Sequence, residues 1–475
     1  MLYALLRWVA SVSLRWFYRR VDVVGAEHVP RRAPLLVAAN HPNQLIDVLL
    51  VACALPRPVT VTGKAVLLDN PIARPLLRRL PFVPLRRASD ERQRAKAAAG
   101  VATAGVATAV APALGGGAAV DPSRNADAFQ AITGALAQGA AVLVFPEGIS
   151  HGAPELAPIK TGVARMALQA RDQGGLGDVH ILPVGLTFER KEQPRTRVLV
   201  EIGAPIALDR WAADGTAVEA LTREVDARLR AVTLNFPTDA AAARAGLVGA
   251  TLAGIFTGPR PVGESDASLA EHVALTRRSE EARHRLAASS EGAAARAAAF
   301  ERRLHAFAGE LADRGIELAD LEISLGTRKG AWFAVREGAI AALAGPLALW
   351  GRVNHWVPLR IARALARRSS RTPQDPAMHT LVVGLVAVPL FYAAQTAAVG
   401  IFAGPWWALL YLATLVPSAS WDLRYQDRRR RAVRRVHAYR LLRGDRPLRA
   451  RLRDAAAWLR DEAAELERLA GALGG

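Results

Sequence analysis

The side chains best suited to chemistry lie in a short segment near the start of the chain. The apolar run 35–39 is long enough for one buried strand, and it leads into Asn40 and His41. Asp47 follows six positions after His41. An imidazole at the end of a strand, held by a nearby carboxylate, is what a general base needs to take a proton from a hydroxyl. The competing interpretation is a capped strand end with a satisfied His41 and a helix-starting Asp47.

The spacing of this pair restricts where each residue can stand. On one continuous helix, residues six positions apart would point about 120° away from each other. We therefore expect His41 on the loop before a helix that Pro42 or Asn43 starts or caps. Only that arrangement lets Asp47 reach back to the ring.

Three further blocks follow in order, so that four blocks stand within roughly residues 1–235. The first block is His41 with Asp47, and the second bears Arg86 and Arg87. The third is the Phe-Pro-Glu-Gly block at 145–148, and the fourth is Pro183 inside the strand-like run 181–186. Together and in this order they resemble the glycerolipid acyltransferase family, whose members acylate glycerol phosphate and lysophospholipids.

The resemblance implies roles for individual residues. His41 would act as the catalytic base and Asp47 would orient and charge-stabilise its ring. Arg87 is the position that matches the family's Arg block, with Arg86 as the fallback, and a guanidinium fork suits the phosphate of the acceptor. The family's Phe-Pro-Glu-Gly block is tied to acceptor binding, a role that passes to Glu147.

The remaining candidate residues would bind or support the substrate site. Gly148 lets the backbone pass close to a substrate. Lys160 would supply a second phosphate contact, although a surface lysine is the competing interpretation. Asn40, Pro146 and Pro183 are interpreted as structural supports.

Two details of the spacing bear on the acceptor. The usual family gap between the His and the Asp is four residues, whereas five separate His41 from Asp47. A five-residue gap, and a run similar to Ile149-Ser150-His151, are typical of the branch that acylates glycerol 3-phosphate or dihydroxyacetone phosphate. Glycerol 3-phosphate is therefore favoured, with lysophosphatidate left open. The acyl donor would be acyl-CoA or acyl carrier protein, and the reaction requires no other cofactor and no metal.

Composition indicates a membrane partner. The 475 residues carry 62 Lys plus Arg against 43 Asp plus Glu, a formal net charge of +19. Such an excess implies either nucleic acid or an anionic lipid surface. The sequence shows no zinc-ligand set, RNA-recognition signature or interleaved aromatic-basic stripe, so we expect membrane lipids and no nucleic acid as partners. The single cysteine, Cys53, excludes an intrachain disulfide.

Hydropathy divides the chain into five parts. We expect an amphipathic interfacial helix, an acyltransferase domain, a helical region, a membrane-associated region and a charged C-terminal helix: 1–20, 21–235, 236–330, 331–425 and 426–475. Within the domain, 89–121 is Ala- and Gly-rich and is expected to be an insertion.

The membrane-associated part contains a predicted transmembrane hairpin, 381–421, with a turn at Gly404-Pro405. Arginines flank both outer ends of the hairpin, which places both ends on the cytoplasmic side. The shorter apolar run 338–351 is expected to be interfacial or re-entrant. On the helix at 1–20 the apolar side would face the bilayer and Arg7, Ser11, Arg15 and Arg19 would face away; the alternative is a helix docked on its own domain.

Strand-like runs alternate with helical ones, which predicts an α/β domain with a mixed, largely parallel sheet flanked by helices. Two other functions stay open. Gly148-Ile149-Ser150-His151-Gly152 fits the nucleophile elbow of serine hydrolases, with Asp172 or Asp178 and then His180 in the expected order. The prolines at 154 and 158 oppose it, since an elbow feeds directly into a helix. The third possibility is an inactive membrane adaptor.

Overall fold

The computed structural model describes residues 1–69, 71, 73–85, 122–191, 193–211, 215–257, 268–369 and 375–472. The first half of the chain forms an α/β unit and the second half is helical. The expected insertion at 89–121 lies outside the described residues.

Eight strands form one sheet in the part of the chain that the structure describes. They are β1 (Arg20–Val24), β2 (Leu35–Ala39), β3 (Val59–Lys64), β4 (Phe82–Leu85), β5 (Ala141–Val144), β6 (His180–Phe188), β7 (Arg197–Ile202) and β8 (Ile206–Ala207). The order is β1-β7-β6-β2-β5-β3-β4, with β8 paired to β6. All pairs are parallel except β6–β7 and β6–β8. The predicted fold class, a mixed and largely parallel sheet flanked by helices, is confirmed.

Helices cover both faces of this sheet. They are α1 (Leu2–Phe17), α2 (Leu45–Ala54), the short α3 (Ala73–Leu77), α4 (Pro122–Ala137), α5 (Gly162–Asp172) and α6 (Gly215–Val232), with 3-10 turns at Ala26–His28 and Ala65–Asp69. Helices α1 and α2 share a core with alternate residues of β2 and β5, and α4, α5 and α6 share a second core with the other residues of those strands. Because both faces are covered, β2 and β5 are buried at every residue and appear as continuous apolar runs.

Several strands begin or finish at the same end of the sheet. In the parallel ladders Ala38 pairs with Val144 and Ala39 pairs with Val184, so β2, β5 and β6 end on the same side. Strand β7 is antiparallel to β6, and β1 is parallel to β7, so β1 and β7 begin at this end of the sheet. Residues that follow β2 and β5 therefore stand next to residues that precede β1 and β7.

The orientation of α1 differs from the prediction. Arg7 Nη2 donates to the carbonyl oxygens of Cys53 and Leu55, at distances of 3.1 and 2.6 Å, and Ser11 Oγ donates to Cys53 Sγ at 3.3 Å. The expected polar face is thus partly turned toward the protein, because the last carbonyls of α2 need donors and attract positive charge. Large apolar side chains, Leu5 and Trp8, are exposed instead.

The second half of the chain is built from helices only, within the described residues. They are α7 (Asp239–Thr257), α8 (Leu269–Ser289), α9 (Glu291–Asp313), a 3-10 turn at Leu318–Glu322, α10 (Thr327–Ser369), α11 (Asp375–Ala403), α12 (Pro405–Gly444) and α13 (Arg446–Ala472). Helices α7, α8, α9 and α13 share one core with the end of α12. Helices α10, α11 and α12 pack against one another.

Three of the described helices are long and apolar enough to cross a membrane by length and composition. They are Asp239–Phe256 in α7, Thr327–Arg368 in α10 and Met378–Ala403 in α11. The turn of the predicted hairpin is present, since Gly404 has φ +98° and Pro405 begins α12. A left-handed residue followed by proline ends one helix and starts the next. The second arm, the first part of α12, is not among the three.

Two helices have other bounds than the expected segments. The run 338–351 is the middle of one helix, because α10 continues unbroken from Thr327 to Ser369. Its interfacial or re-entrant placement in a membrane stays a prediction. The C-terminal tail is not one helix from residue 426, because α12 extends to Gly444 and α13 begins at Arg446. In both cases charged residues interrupt the apolar run without interrupting the helix, since Arg and Glu are good helix formers.

Candidate active site

His41 lies just beyond the carboxyl end of β2, on the loop that leads into α2. Its Nδ1 is 2.9 Å from Asp47 Oδ2. A carboxylate at this position accepts the Nδ1 proton and leaves the lone pair of the neutral ring on Nε2. The His41 side chain is 16% exposed and that of Asp47 is fully buried, so only the ring of this pair is open to a substrate.

The loop before α2 explains how Asp47 reaches back. Helix α2 begins at Leu45, slightly later than predicted, and Gln44 precedes it with φ +51°. Such a backbone conformation is uncommon outside glycine and costs on the order of 1–3 kcal/mol. The turn brings the Asn43 amide to 2.6 Å from Asp47 Oδ2, so one carboxylate oxygen holds both this amide and the His41 ring.

Burial dominates the electrostatics of Asp47. Removal from water raises the pKa of the Asp47 carboxyl above its ordinary value, while the His41 ring, the Asn43 amide and the charge of Lys191 oppose that rise. Asp47 Oδ1 has no hydrogen-bond partner among the described residues. The favourable contacts of the charge are therefore concentrated on Oδ2, the oxygen that faces His41.

Tyr18 and Lys191, both distant in sequence, support the His41–Asp47 pair through Asn43. Asn43 is fully buried, and its Nδ2 lies 3.4 Å from the Tyr18 hydroxyl and 3.2 Å from the Lys191 carbonyl. Lys191 Nζ donates to the Gly152 carbonyl at 2.9 Å. Burial, together with the nearby Asp47, raises the pKa of the Tyr18 hydroxyl, which keeps it protonated. The end of α1 and the segment after β6 thus fix the loop that carries the acid.

The other side of His41 is covered by the segment that follows β5. The Phe145 ring stacks on the imidazole, with ring centroids 3.8 Å apart and an angle of 15° between the planes. The His151 amide donates to the His41 carbonyl at 3.3 Å. Stacking and backbone pairing restrict the ring of His41 to one orientation, which a base that must meet a substrate hydroxyl requires.

Glu147 connects three segments of this site. One carboxylate oxygen accepts the His41 amide at 2.8 Å, and the other accepts the Ala157 amide at 2.9 Å and contacts His151 Nε2. The residue is 3% exposed. Both oxygens thus have partners within the protein, two backbone amides and a ring nitrogen. The predicted binding of the acceptor by Glu147 stays a prediction.

This geometry distinguishes positioning from acceptor binding. A glutamine at position 147 keeps the size but turns one acceptor oxygen into a donor that faces an amide or a ring nitrogen. We expect Glu147→Gln to lower the free energy of unfolding by about 1–3 kcal/mol, and to lower kcat with little change in the KM of the acceptor. Thermal unfolding and steady-state kinetics measure both. A raised acceptor KM at unchanged kcat would instead support direct binding.

Gly148 and Lys160 lie against each other. Gly148 has φ +72°, and a Cβ built there would lie 2.5 Å from Lys160 Nζ. The Lys160 amide donates to the Pro146 carbonyl at 3.0 Å, and its side chain is exposed. The turn thus requires glycine, and the ammonium group stands beside the loop that carries Glu147. Its phosphate contact stays a prediction.

Asn40, Pro146 and Pro183 lie where backbone segments meet. Asn40 Nδ2 donates to the Leu186 carbonyl at 3.1 Å, and Asn40 Oδ1 accepts the Leu186 amide at 2.7 Å. This side chain thus extends the pairing of β2 with β6 beyond the last residue of β2. Pro183 pairs with Ala38 in that ladder, and its carbonyl accepts the Gly203 amide at 2.9 Å.

The predicted phosphate-binding arginines, Arg86 and Arg87, lie outside the described residues. The preceding strand β4 ends at Leu85 and pairs in parallel with β3. Sequence reasoning also missed Tyr18, Phe145 and Lys191 as contributors, and it named Asn43 only as a start or cap of the helix. Phe145 had a signal, since it opens the Phe-Pro-Glu-Gly block; Tyr18 and Lys191 had none, because only folding brings them near position 43.

The hydrolase alternative lacks its geometry. The segment after Ser150 stays irregular until α5 begins at Gly162, whereas a nucleophile elbow runs directly into a helix. Ser150 Oγ accepts the Gln44 amide at 3.3 Å. His180 pairs with Leu35 at the start of β2, the opposite end of the sheet from residues 145–151. Ser150 and His180 therefore do not form a catalytic pair.

Comparison with known proteins agrees with these features. The profile of the acyltransferase family matches residues 20–187. An uncharacterized acyltransferase of Schizosaccharomyces pombe is 26% identical over 258 residues, 42% of this chain and 38% of the relative. Glycerol-3-phosphate O-acyltransferase 2 of Saccharomyces cerevisiae is 40% identical over 85 residues, 18% of this chain and 11% of the relative.

Among solved structures, the 1-acyl-sn-glycerophosphate (LPA) acyltransferase PlsC of Thermotoga maritima aligns with 48% of this chain and 78% of its own at 19% identity and a TM-score of 0.33. The chain spans well under half the length of the curated relatives, 38% and 11% of the two named above. The family match includes β1 to β5, β6 as far as Thr187, and His41, Asp47 and Glu147. Tyr18 and Lys191 lie outside it. The match to the acyltransferase family thus covers residues 20–187 of this chain.

Proposed function

We propose that this chain is a membrane-bound O-acyltransferase that moves a fatty acyl group from an acyl thioester to a hydroxyl of glycerol 3-phosphate or a lysophospholipid. The observation that carries the proposal is the contact between His41 Nδ1 and buried Asp47, on a ring that Phe145 holds in one orientation. This arrangement suits removal of a proton from a hydroxyl, and it stands in the acyltransferase-family part of the chain.

The reaction needs one base and one leaving group. His41 Nε2 takes the proton of the acceptor hydroxyl as its oxygen attacks the thioester carbonyl carbon. The carbon–sulfur bond of the tetrahedral intermediate then breaks, and the departing thiolate receives the proton from the imidazolium. Asp47 stabilises the imidazolium between these two steps. The donor is acyl-CoA or acyl carrier protein, and no other cofactor takes part.

The acceptor phosphate needs cationic partners near the base. Lys160 is exposed beside Gly148, on the loop that also carries Glu147 and His151. Arg87, or Arg86 as the fallback, follows the end of β4 in sequence and would add a bidentate contact. Glycerol 3-phosphate is the favoured acceptor, because yeast glycerol-3-phosphate acyltransferases are 40% identical over the stretches that match.

A membrane setting is part of the proposal. Helices α7, α10 and α11 are long and apolar enough to span a bilayer, and α1 exposes Leu5 and Trp8. Arg367 and Arg368 end α10, while the arginines at 428–431 lie past the apolar part of α12. By the positive-inside rule we place these arginines, and both ends of the hairpin, on the cytoplasmic side. The acyltransferase domain would then work at that membrane face.

One assay tests the reaction and names the acceptor. Purified full-length protein in liposomes is given labelled glycerol 3-phosphate, dihydroxyacetone phosphate or lysophosphatidate, each with acyl-CoA and with acyl carrier protein loaded with a fatty acyl group. We expect acylation of glycerol 3-phosphate at the highest kcat/KM. Failure of all three acceptors with both donors would refute the glycerolipid assignment and favour the inactive adaptor.

Replacement of Ser150 separates the transferase from the hydrolase. We expect Ser150→Ala to keep acyl transfer close to the wild-type rate, with a loss of about 0.5–1.5 kcal/mol in stability from one neutral hydrogen bond. Transfer and release of free fatty acid are measured on the same samples. Complete loss of both at unchanged folding would make Ser150 a nucleophile and overturn this assignment.

A further inference from the structure

A cavity lies beside the end of the sheet that carries His41, and it has no part in the reaction above. Its volume is about 710 Å³, and it opens between the start of β1, the segment before β7, and helices α10 and α12. Among the described residues, its lining contains six arginines and one carboxylate: Arg19, Arg20, Arg195, Arg424, Arg428 and Arg431, with Asp427.

Arginines outnumber carboxylates in the lining of this cavity, and carboxylates around it hold several of them. Asp427 pairs with Arg195, and Glu337 from α10 pairs with Arg428 at 2.8 Å. Arg20 pairs with Asp22. Arg424 is exposed and forms no ion pair with a residue that the structure describes. So many guanidinium groups around one cavity repel each other, and an anion between them would relieve that repulsion. Planar guanidinium forks favour phosphate oxygens in particular.

The position of the cavity along α12 indicates the source of the phosphate. Helix α12 begins at Pro405 and is uncharged through Trp421. From Pro405 to Arg424 it rises about 28 Å, close to the thickness of a hydrocarbon core. The cavity would thus open where α12 leaves the bilayer. Trp421 and Tyr425 also line it, and these aromatic types concentrate at the level of lipid headgroups.

The amphipathic helix reaches the same level. Trp16 Nε1 of α1 donates to Ser420 Oγ of α12 at 3.0 Å, just before the arginines of both elements. Trp421 Nε1 donates to the Ala344 carbonyl of α10 at 3.3 Å. Cationic side chains, interfacial aromatics and the end of a surface helix therefore meet around one cavity.

We propose that this cavity binds the phosphate headgroup of an anionic membrane phospholipid. The headgroup would lie between Arg19, Arg424 and Arg431, with its acyl chains beside the apolar parts of α10 and α12. The site joins the helical half to the acyltransferase domain, because its arginines come from both. This inference rests on the proposed function only for the membrane setting and needs no acyl transfer.

The test compares two double variants of equal charge on one helix. Arg424→Gln/Arg431→Gln removes two cavity arginines. Arg429→Gln/Arg430→Gln removes two arginines from another face of α12, where they line a different groove. Full-length protein in a non-ionic detergent is titrated with dioctanoyl phosphatidylglycerol, dioctanoyl phosphatidylcholine or glycerol 3-phosphate, and binding is measured by calorimetry.

We expect one phosphatidylglycerol per chain, at least tenfold weaker binding to the cavity variant, and unchanged binding to the control. Phosphatidylcholine, whose headgroup is zwitterionic, should bind at least tenfold more weakly to the wild-type protein. Equal losses in both variants, or equal binding of both lipids, would overturn the site. Glycerol 3-phosphate binding to the cavity as tightly as the lipid would overturn the lipid as its occupant.

A second variant guards against misfolding. Ile340→Trp fills the cavity from α10 without a change of charge. We expect the same loss of phosphatidylglycerol binding, with a thermal midpoint near that of the wild type. Undiminished binding in this variant would also count against the proposal. If the wild-type protein acylates none of the acceptors, the proposed function is refuted but the lipid site is not, because every measurement in this test is of binding.

Discussion

Replacement of His41 by alanine is expected to lower acyl transfer by about 10²–10⁴-fold, the usual contribution of a general base. The ring is the exposed member of the His41–Asp47 pair, and alanine leaves no group there that can take the acceptor proton. The effect should fall on kcat, because the predicted phosphate contacts of the acceptor come from other residues. Initial rates with purified protein in liposomes measure it.

His180→Ala is the matched control. His180 lies on the same sheet at the start of β6, and its Nδ1 contacts the Asp178 carbonyl at 3.0 Å. Loss of this imidazole should leave transfer close to the wild-type rate. Membrane association should be retained in both variants, since neither residue lies on a long apolar helix. Wild-type activity in His41→Ala would refute the assignment of the base.

The Asp47→Asn variant should separate activity from stability. Asparagine keeps the size of the side chain but removes the charge that stabilises the imidazolium. We expect a fall in kcat of at least about 10²-fold, the lower end of the general-base range. The same change removes a fully buried carboxylate, so the variant should be as stable as the wild type or more stable at neutral pH.

The sign of the pH effect follows from the direction of the shift. Burial raises the pKa of Asp47 in the folded state above its unfolded value. A group of this kind favours folding below its unfolded pKa, near 3.9 in model peptides, and that contribution is lost as pH rises through the folded pKa. The stability advantage of Asp47→Asn over the wild type should therefore grow from acid to neutral pH.

Thermal unfolding of both proteins in the same detergent at several pH values checks this expectation. A variant that is markedly less stable than the wild type at neutral pH would show that hydrogen bonds to the carboxylate outweigh its burial. A variant with wild-type kcat would remove Asp47 from the mechanism. The two outcomes are independent, because one measures the folded state and the other measures the reaction.

Spacing along the chain predicted structure well where the residues involved are close in sequence. The six-residue separation of His41 and Asp47 required a loop before the helix, and the structure has one, with α2 starting at Leu45. The continuous apolar run of β2 predicted a buried strand, and the structure has one because both faces of that strand are covered. Gly404 and Pro405 predicted a turn for the same local reason.

Hydropathy was a poorer guide to which side of a helix faces the protein. Arg7 and Ser11 looked like a solvent face, yet both contact the end of α2, whose unpaired carbonyls require donors. The apolar run 338–351 looked short, yet α10 continues through the charged residues on either side. The length of an apolar run indicates how the side chains are solvated. The length of a helix depends instead on continuous backbone hydrogen bonding, which charged residues do not interrupt.

The sequence by itself determined strand β2 and part of β6, the order of the motifs and the pairing of His41 with Asp47, because those features depend on neighbours along the chain. Only the tertiary structure decided the contacts of Glu147 and the support from Tyr18 and Lys191. It also decided the meeting of arginines from β1 and α12. The physical reason is that strand order and direction bring loops distant in sequence to one end of the sheet. Contacts between those loops leave no periodic signal in the sequence.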